Sequence, residues 1–176
     1  MDVFDAIRLR KSVRAYDSKP VSNDVLCKIL ETAQLAPSAG NRQPWHFIAV
    51  TDKAKREKFS KSAYAKFFAE APVVIVGCGD EEASPKWYRV DVTIALEHIV
   101  LAATSEGLGT CWVGSFDENM LKELLKIPEK YKVVALLAVG YPQEKLDLKK
   151  TASSVHNRKK LEQIASYEEF GKPITA

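Results

Sequence analysis

The chain is predicted to fold as an α+β or α/β domain, with helices covering a sheet. Segments with apolar residues at helical spacing alternate with short apolar runs of strand length. Those runs are too uniformly apolar to leave one face wet, as expected of strands covered on both sides. The composition supports one sizeable core, since 46% of the 176 residues are hydrophobic and 28% are charged. Folding at this length buries roughly 70% of the unfolded chain's surface, so no covalent staple is needed.

VFDAIRLR reads as a short opening helix with Val3, Phe4, Ile7 and Leu9 inward. Ser22 is the expected N-cap of a helix running to about Leu35, with Val25, Ile29, Leu30 and Ala33 at helical spacing and Pro37 stopping it. APSAGNRQP, 36–44, is a loop by composition, and HFIAV, 46–50, a strand. A charged amphipathic helix is expected from Lys53 to about Glu70. PVVIVGCG, 72–79, is a buried strand and DEEASPK a surface loop. The helix from Tyr88 to Glu106 is too apolar for one exposed face, which places it in the core or at a subunit interface. TCWVGSF, 110–116, is a short strand and turn. Asp117 caps the helix carrying Met120, Leu121, Leu124 and Leu125, with Pro128 beyond it. VVALLAVG, 133–140, is another buried strand. From Tyr141 onward the chain is polar and irregular apart from a short helix at Lys159 to Ala165. This tail, 141–176, has little core of its own, and a partner subunit is the natural surface for it.

Several classes fall away. Net charge is only +3 and the signs are mixed, unlike the dense basic face of a nucleic-acid binder. Cys27, Cys78 and Cys111 are odd in number, widely spaced and without a CxxC. Reduced thiols in a cytoplasm are expected, not a disulfide framework, zinc site or iron–sulfur cluster. MDVFDAIRLRKS carries acids and no long apolar core, unlike a signal peptide. No apolar run approaches the ~20 residues that span a bilayer. GCGDEE lacks the third glycine of a dinucleotide fingerprint, and GLGT lacks the rest of any phosphate motif. His46, His98 and His156 have no metal spacing, and His98 reads as a satisfied core or interface histidine. No G-x-S-x-G elbow occurs.

Four segments remain. In RLRKSVRAYD, Arg10, Lys11 and Arg14 fall within five positions. If the segment is extended, Arg10, Ser12 and Arg14 share one face at spacings of roughly 6.6 Å, with Val13 opposite. Two guanidiniums flanking a hydroxyl suit a phosphate, because the fork of N–H donors matches its oxygens. A solvated charged turn is the plain alternative. APSAGNRQPW offers small residues for close backbone approach to a flat ligand, with Ser38, Asn41 and Gln43 for hydrogen bonds; it is equally a simple helix-to-strand link. GLGTCWVGSF ends a strand just before a helix start, where free backbone N–H groups are available. HNRKKLE near the C-terminus is cationic.

Taken in order, RKSVRAYD, APSAGNRQPWHF, GLGTCWVGSFD and a tail with an Arg before a short helix resemble the FMN-dependent nitroreductase family, over roughly residues 4–165. The resemblance implies an intertwined homodimer on a mixed, mostly antiparallel sheet of four to five strands flanked by helices. Each protomer's C-terminal segment would embrace the other, with two FMN sites at the interface. It implies that Arg10, Lys11 and Ser12 hold the FMN phosphate and ribityl end, and that Arg14 lies nearer the pyrimidine edge. Pro37, Ser38, Ala39 and Asn41 of the other protomer would pack along the isoalloxazine and ribityl chain. The turn at Val113, Gly114 and Ser115 would present backbone N–H to flavin N5, and Arg158 with Lys159 would close on the phosphate. Lys66, before the PVVIV strand, is a candidate for the N1/O2 edge, where positive charge favours the reduced cofactor.

The resemblance also implies NADH or NADPH as donor and a small acceptor, a nitroaromatic or a quinone, taking the donor's place in one pocket. This ping-pong scheme uses no acid–base side chain and no metal; neither nucleic acid nor a membrane is an expected partner. The chain lacks the helical insertions that wall the pocket in longer members. Trp87 and Tyr88 either anchor a helix start or cover part of the flavin. His156 stands where a basic residue two positions before the tail Arg is sometimes expected. The scaffold also carries reductive dehalogenation and a flavin-fragmenting reaction, and an FMN-binding or sensing protein would use the same residues. Those alternatives stay open on the sequence.

Overall fold

In the computed structural model, which describes residues 1–62, 66–143 and 158–174, four strands make one antiparallel sheet. They are β1 (Trp45–Val50), β2 (Val73–Asp80), β3 (Gly109–Val113) and β4 (Tyr131–Gly140), in the order β1-β2-β4-β3. Helices α1 (Val3–Leu9), α2 (Asn23–Ala33), α3 (Lys53–Ser62), α4 (Tyr88–Ser105) and α5 (Glu118–Leu125) flank it. The α+β expectation holds, and the one parallel pairing among the described residues is an isolated bridge between Ser12 and Thr110.

The central strands are apolar on both sides because both faces are covered. Val73, Ile75, Leu137 and Val139 pack with Ile29 of α2 and with Val92, Leu96, Ile99 and Val100 of α4. Val74, Val76, Leu136 and Ala138 pack with Phe59 of α3 and Leu121 of α5. The apolar α4 therefore belongs to the core of its own chain. It lies tight on β2 because Gly77 and Gly79 carry no side chain there. A Cβ on Gly77 would stand 2.7 Å from Leu96 Cδ1, and one on Gly79 2.6 Å from Tyr88 Cδ2. The caps are as read: Ser22 Oγ accepts the Val25 N–H at 3.4 Å and Asp117 Oδ1 the Met120 N–H at 3.0 Å. His98 is satisfied, with Nδ1 3.2 Å from the Thr32 carbonyl.

Three expectations are corrected. The opening helix forms, but in the single chain Val3, Phe4, Ile7 and Leu9 are 53–64% exposed and only Ala6 is buried. A helix of two turns laid against α4 covers one narrow stripe, and the wider apolar face points outward. The helix expected over Lys53 to Glu70 ends at Ser62, and 66–68 is a separate tight turn. The reason is Arg56, whose Nη1 donates to the carbonyls of Ala69 and Ala71 while Nε donates to that of Thr51 at 3.3 Å. A continuous helix would carry Ala69 some thirteen residues on, about 20 Å from Arg56. Near the C-terminus the expected helix at Lys159 to Ala165 is a single tight turn, Leu161–Gln163. His156 and part of the tail lie outside the described residues. Among the described residues no helix is long and apolar enough to cross a membrane.

The cysteines are free, with Cys27 exposed and Cys78 and Cys111 buried. Burial pushes the Cys78 thiol up to about 12, with Glu118 adding to the rise and Lys122 opposing it. Native protein treated with a chromogenic disulfide reagent at neutral pH will therefore release colour for Cys27 alone. Cys27→Ser will remove that fast phase, and the other two thiols will titrate only in denaturant. Rapid reaction of two thiols in the native protein would contradict this burial.

Candidate functional site

After α1 the chain becomes extended, and the Val13 N–H donates to the Thr110 carbonyl at 2.8 Å. The segment 10–14 thus lies beside β3, on one edge of the sheet. Val13 is buried against Gly109, where a Cβ would meet its Cγ2 at 2.5 Å. With Val13 inward, the alternation of an extended chain would set Arg10, Ser12 and Arg14, all half-buried, on the other side. Lys11, also half-buried, is in the same segment.

Two further parts come near this strip. Phe67, next to Lys66, packs on Tyr16 with ring centroids 6.5 Å apart, so the turn carrying the exposed Lys66 sits beside the end of the basic segment. Val113 ends β3, and Gly114 and Ser115 follow it in an exposed turn. A Cβ on Gly114 would meet nothing within 4 Å, so backbone is open to a ligand there.

Loop 36–44 is elsewhere. It leads into β1, the opposite edge strand, three strand spacings or roughly 14 Å from β3. The loop is sharply folded. Gly40, Asn41 and Gln43 all have positive φ, at 59°, 52° and 48°, a conformation uncommon for residues other than glycine and often found at functional sites. The Gln43 N–H donates to Ser38 Oγ at 2.9 Å and holds the turn closed. Pro37 and Asn41 are exposed, Ser38 and Ala39 half-buried. Arg158 and Lys159 are exposed at the start of the described C-terminal stretch.

The sequence reading missed two acids of α4. Glu97 lies near Arg10 and accepts a hydrogen bond from the Trp112 side chain. Burial pushes its carboxyl up, while the Arg10 cation and the Trp112 hydrogen bond pull it back. Asp91 is buried and accepts the Ala39 N–H at 3.1 Å. The available signal was a carboxylate inside an otherwise apolar helix, which demands a partner. Of the aromatic pair, Tyr88 is the anchor, buried under β2 with its hydroxyl accepting from Arg89 Nε at 2.8 Å. Trp87 is 51% exposed.

These donors fit FMN. Two guanidiniums, an ammonium and a hydroxyl on one short extended segment match a phosphate monoester, and the open backbone at Gly114 leaves room for a flat ring. The fold and this basic strip define an α+β domain with a candidate phosphate-binding segment at one edge of its sheet and the sharply folded loop 36–44 at the other.

The profile of the Nitroreductase family matches the chain over residues 7–67 and 60–141. A protein of Archaeoglobus fulgidus named "Putative NADH dehydrogenase/NAD(P)H nitroreductase" is 40% identical over 149 residues, covering 80% of this chain and 86% of that one. A solved nitroreductase family protein of Clostridium difficile 630 superposes with a TM-score of 0.83 at 30% identity, over 96% of this chain and 99% of the other. An "FMN-dependent Nitroreductase" of Clostridium difficile R20291 does so with a TM-score of 0.73 at 31% identity, over 89% and 99%. The chain belongs to the nitroreductase family.

Proposed function

We propose that this protein is a cytoplasmic homodimer that passes electrons from NADH or NADPH through FMN to a nitroaromatic, a quinone or a similar small acceptor, in two successive half-reactions. A nitroreductase-type oxidoreductase using FMN and NAD(P)H is what family membership and the FMN-dependent relative establish. The dimer, the acceptor class, the alternation and the residue roles are the added reading. The observation that carries the dimer is the split site: the strip at 10–14 and the loop at 36–44 lie on opposite edges of one sheet. Both reach one ligand if a second copy supplies the loop, and the outward apolar face of α1 supports such a partner. The described part of the 141–176 tail is exposed almost throughout, as expected of a segment that packs on that partner.

Bound FMN supplies the chemistry, accepting hydride from the nicotinamide and returning electrons to the acceptor. The chain supplies position and charge. Arg10, Lys11 and Ser12 hold the phosphate and ribityl end, with Arg158 and Lys159 closing from the tail. Arg14 and Lys66 place positive charge at the pyrimidine edge, where negative charge develops on reduction. Pro37, Ser38, Ala39 and Asn41 of the second copy line the ring and ribityl chain. The backbone at Val113, Gly114 and Ser115 faces N5.

The test is the visible absorbance spectrum of the purified protein, with the released chromophore weighed after denaturation and the particle mass taken by light scattering. A flavin spectrum, the FMN mass and a dimer are expected, with NAD(P)H bleaching the spectrum and an added quinone restoring it. A colourless monomer that fails to take up added FMN would overturn the reading.

A further inference from the structure

Asp91 stands in the first turn of α4 with 3% of its surface exposed, yet it does not cap that helix. Its two carboxylate oxygens reach in different directions. Oδ1 accepts the backbone N–H of Ala39 at 3.1 Å, and Oδ2 accepts the hydroxyl of Ser84 at 3.3 Å. Ser84 is itself buried. A buried carboxylate is costly unless hydrogen bonds compensate it, and these two tie together segments otherwise joined through β1 and β2.

Each of those segments is held internally. The loop is closed by the Gln43 to Ser38 bond and by Arg42 Nη1 donating to the Ala39 carbonyl at 3.3 Å. In the turn after β2, Asp80 Oδ1 accepts the N–H groups of Glu82 and Ala83 at 3.1 and 3.0 Å, while Lys130 Nζ donates to Oδ2 at 2.7 Å. Two firm segments, joined at their strand ends by the Asp80 N–H donating to the Pro44 carbonyl at 2.8 Å and farther out by the Asp91 side chain, keep a constant spacing. Between them lies an open groove of about 470 Å³, lined by Arg42 on one side and by Glu82, Ser84, Lys86 and the half-exposed Trp87 on the other, so that two cations face one carboxylate.

We infer that Asp91 is a positioning residue with two separable arms. The Ala39 arm sets the loop that packs on the flavin, and the Ser84 arm sets the Trp87 wall, against which an aromatic, anionic acceptor rests with Arg42 and Lys86 beside it. The inference rests on the flavin reading of residues 37–41.

The test uses flavin-loaded protein with nitrobenzoate as the probe acceptor. Asp91→Ala cuts both arms, so the FMN dissociation constant and the acceptor KM each rise about tenfold, the scale of one lost charge-assisted hydrogen bond. Asp91→Asn keeps an oxygen for Ala39 and turns its amide toward the Ser84 hydroxyl, which accepts, and so restores both readouts to near wild type. Ser84→Ala cuts one arm only: acceptor KM rises several-fold while FMN affinity and kcat at saturating acceptor stay as in wild type. Ile99→Val, a core deletion on the same helix, lowers Tm without this split. If Asp91→Ala lowers Tm but moves neither FMN affinity nor KM, or if Ser84→Ala weakens FMN as much as Asp91→Ala does, the inference is overturned. Wild-type protein that binds no FMN would instead overturn the flavin reading on which it rests.

Discussion

Replacing Arg10 and Arg14 by alanine is expected to strip FMN from the protein. A hydrogen bond to a charged group contributes about 1.5–3 kcal/mol, so each variant should weaken FMN binding by roughly 10- to 150-fold, and the double variant should be purified colourless. The fold should survive, because the side chain that anchors this segment is Val13, buried on the opposite side beside Gly109. The Val13 N–H to Thr110 carbonyl bond involves neither arginine side chain. Affinity measured by fluorescence quenching should fall with added salt in wild type and less steeply in the variants, since the lost contribution is electrostatic. Folded variants that retain FMN as tightly as wild type would return this cluster to a charged surface strip.

The largest effect on stability is expected at Arg56. The residue is 8% exposed, and its guanidinium donates to the carbonyls of Thr51, Ala69 and Ala71. Burial pulls its pKa down, opposed by the nearby charges of Asp52 and Glu57, and arginine stays charged at any working pH. Arg56→Met keeps length and apolar stem but leaves the three carbonyls without their donor. The bond to the Ala71 carbonyl is buried and the other two are part-buried; with a buried unpaired group costing about 1–3 kcal/mol and a part-buried one less, a loss of about 3 kcal/mol is expected. For a chain of this size that lowers Tm by roughly 6–12 °C. Arg56→Lys, with one ammonium in place of a fork, should fall between the two. Urea unfolding should show the loss as a lower midpoint with unchanged slope. A Tm within two or three degrees of wild type, roughly the effect of 1 kcal/mol, would show that water or a shifted backbone satisfies those carbonyls.

Much of the molecule was legible because it depends on local pattern. The buried strands at 72–79 and 133–140 show as unbroken apolar runs, and the Ser22 and Asp117 caps follow from a side-chain oxygen reaching an amide three residues on. The extended face of Arg10, Ser12 and Arg14 follows from the two-residue period of a strand. The errors lie where a partner distant in sequence decides. Lys53 to Glu70 carries no helix breaker until Pro72, yet Arg56 draws the carbonyls of Ala69 and Ala71 back toward itself. The apolar residues of α1 mark a face to be buried without saying against what.

By itself, then, the amino-acid order determined the class of fold, the core strands and the short segments proposed to carry the chemistry, since each is written in spacings of two to four residues. Only the tertiary structure decided that β1 and β3 are opposite edges, which separates loop 36–44 from the basic strip within one chain. It alone brought Asp91 to Ala39 and Ser84. Strand order and long-range hydrogen bonds arise from how helices pack across a sheet, a non-local property that no short spacing records.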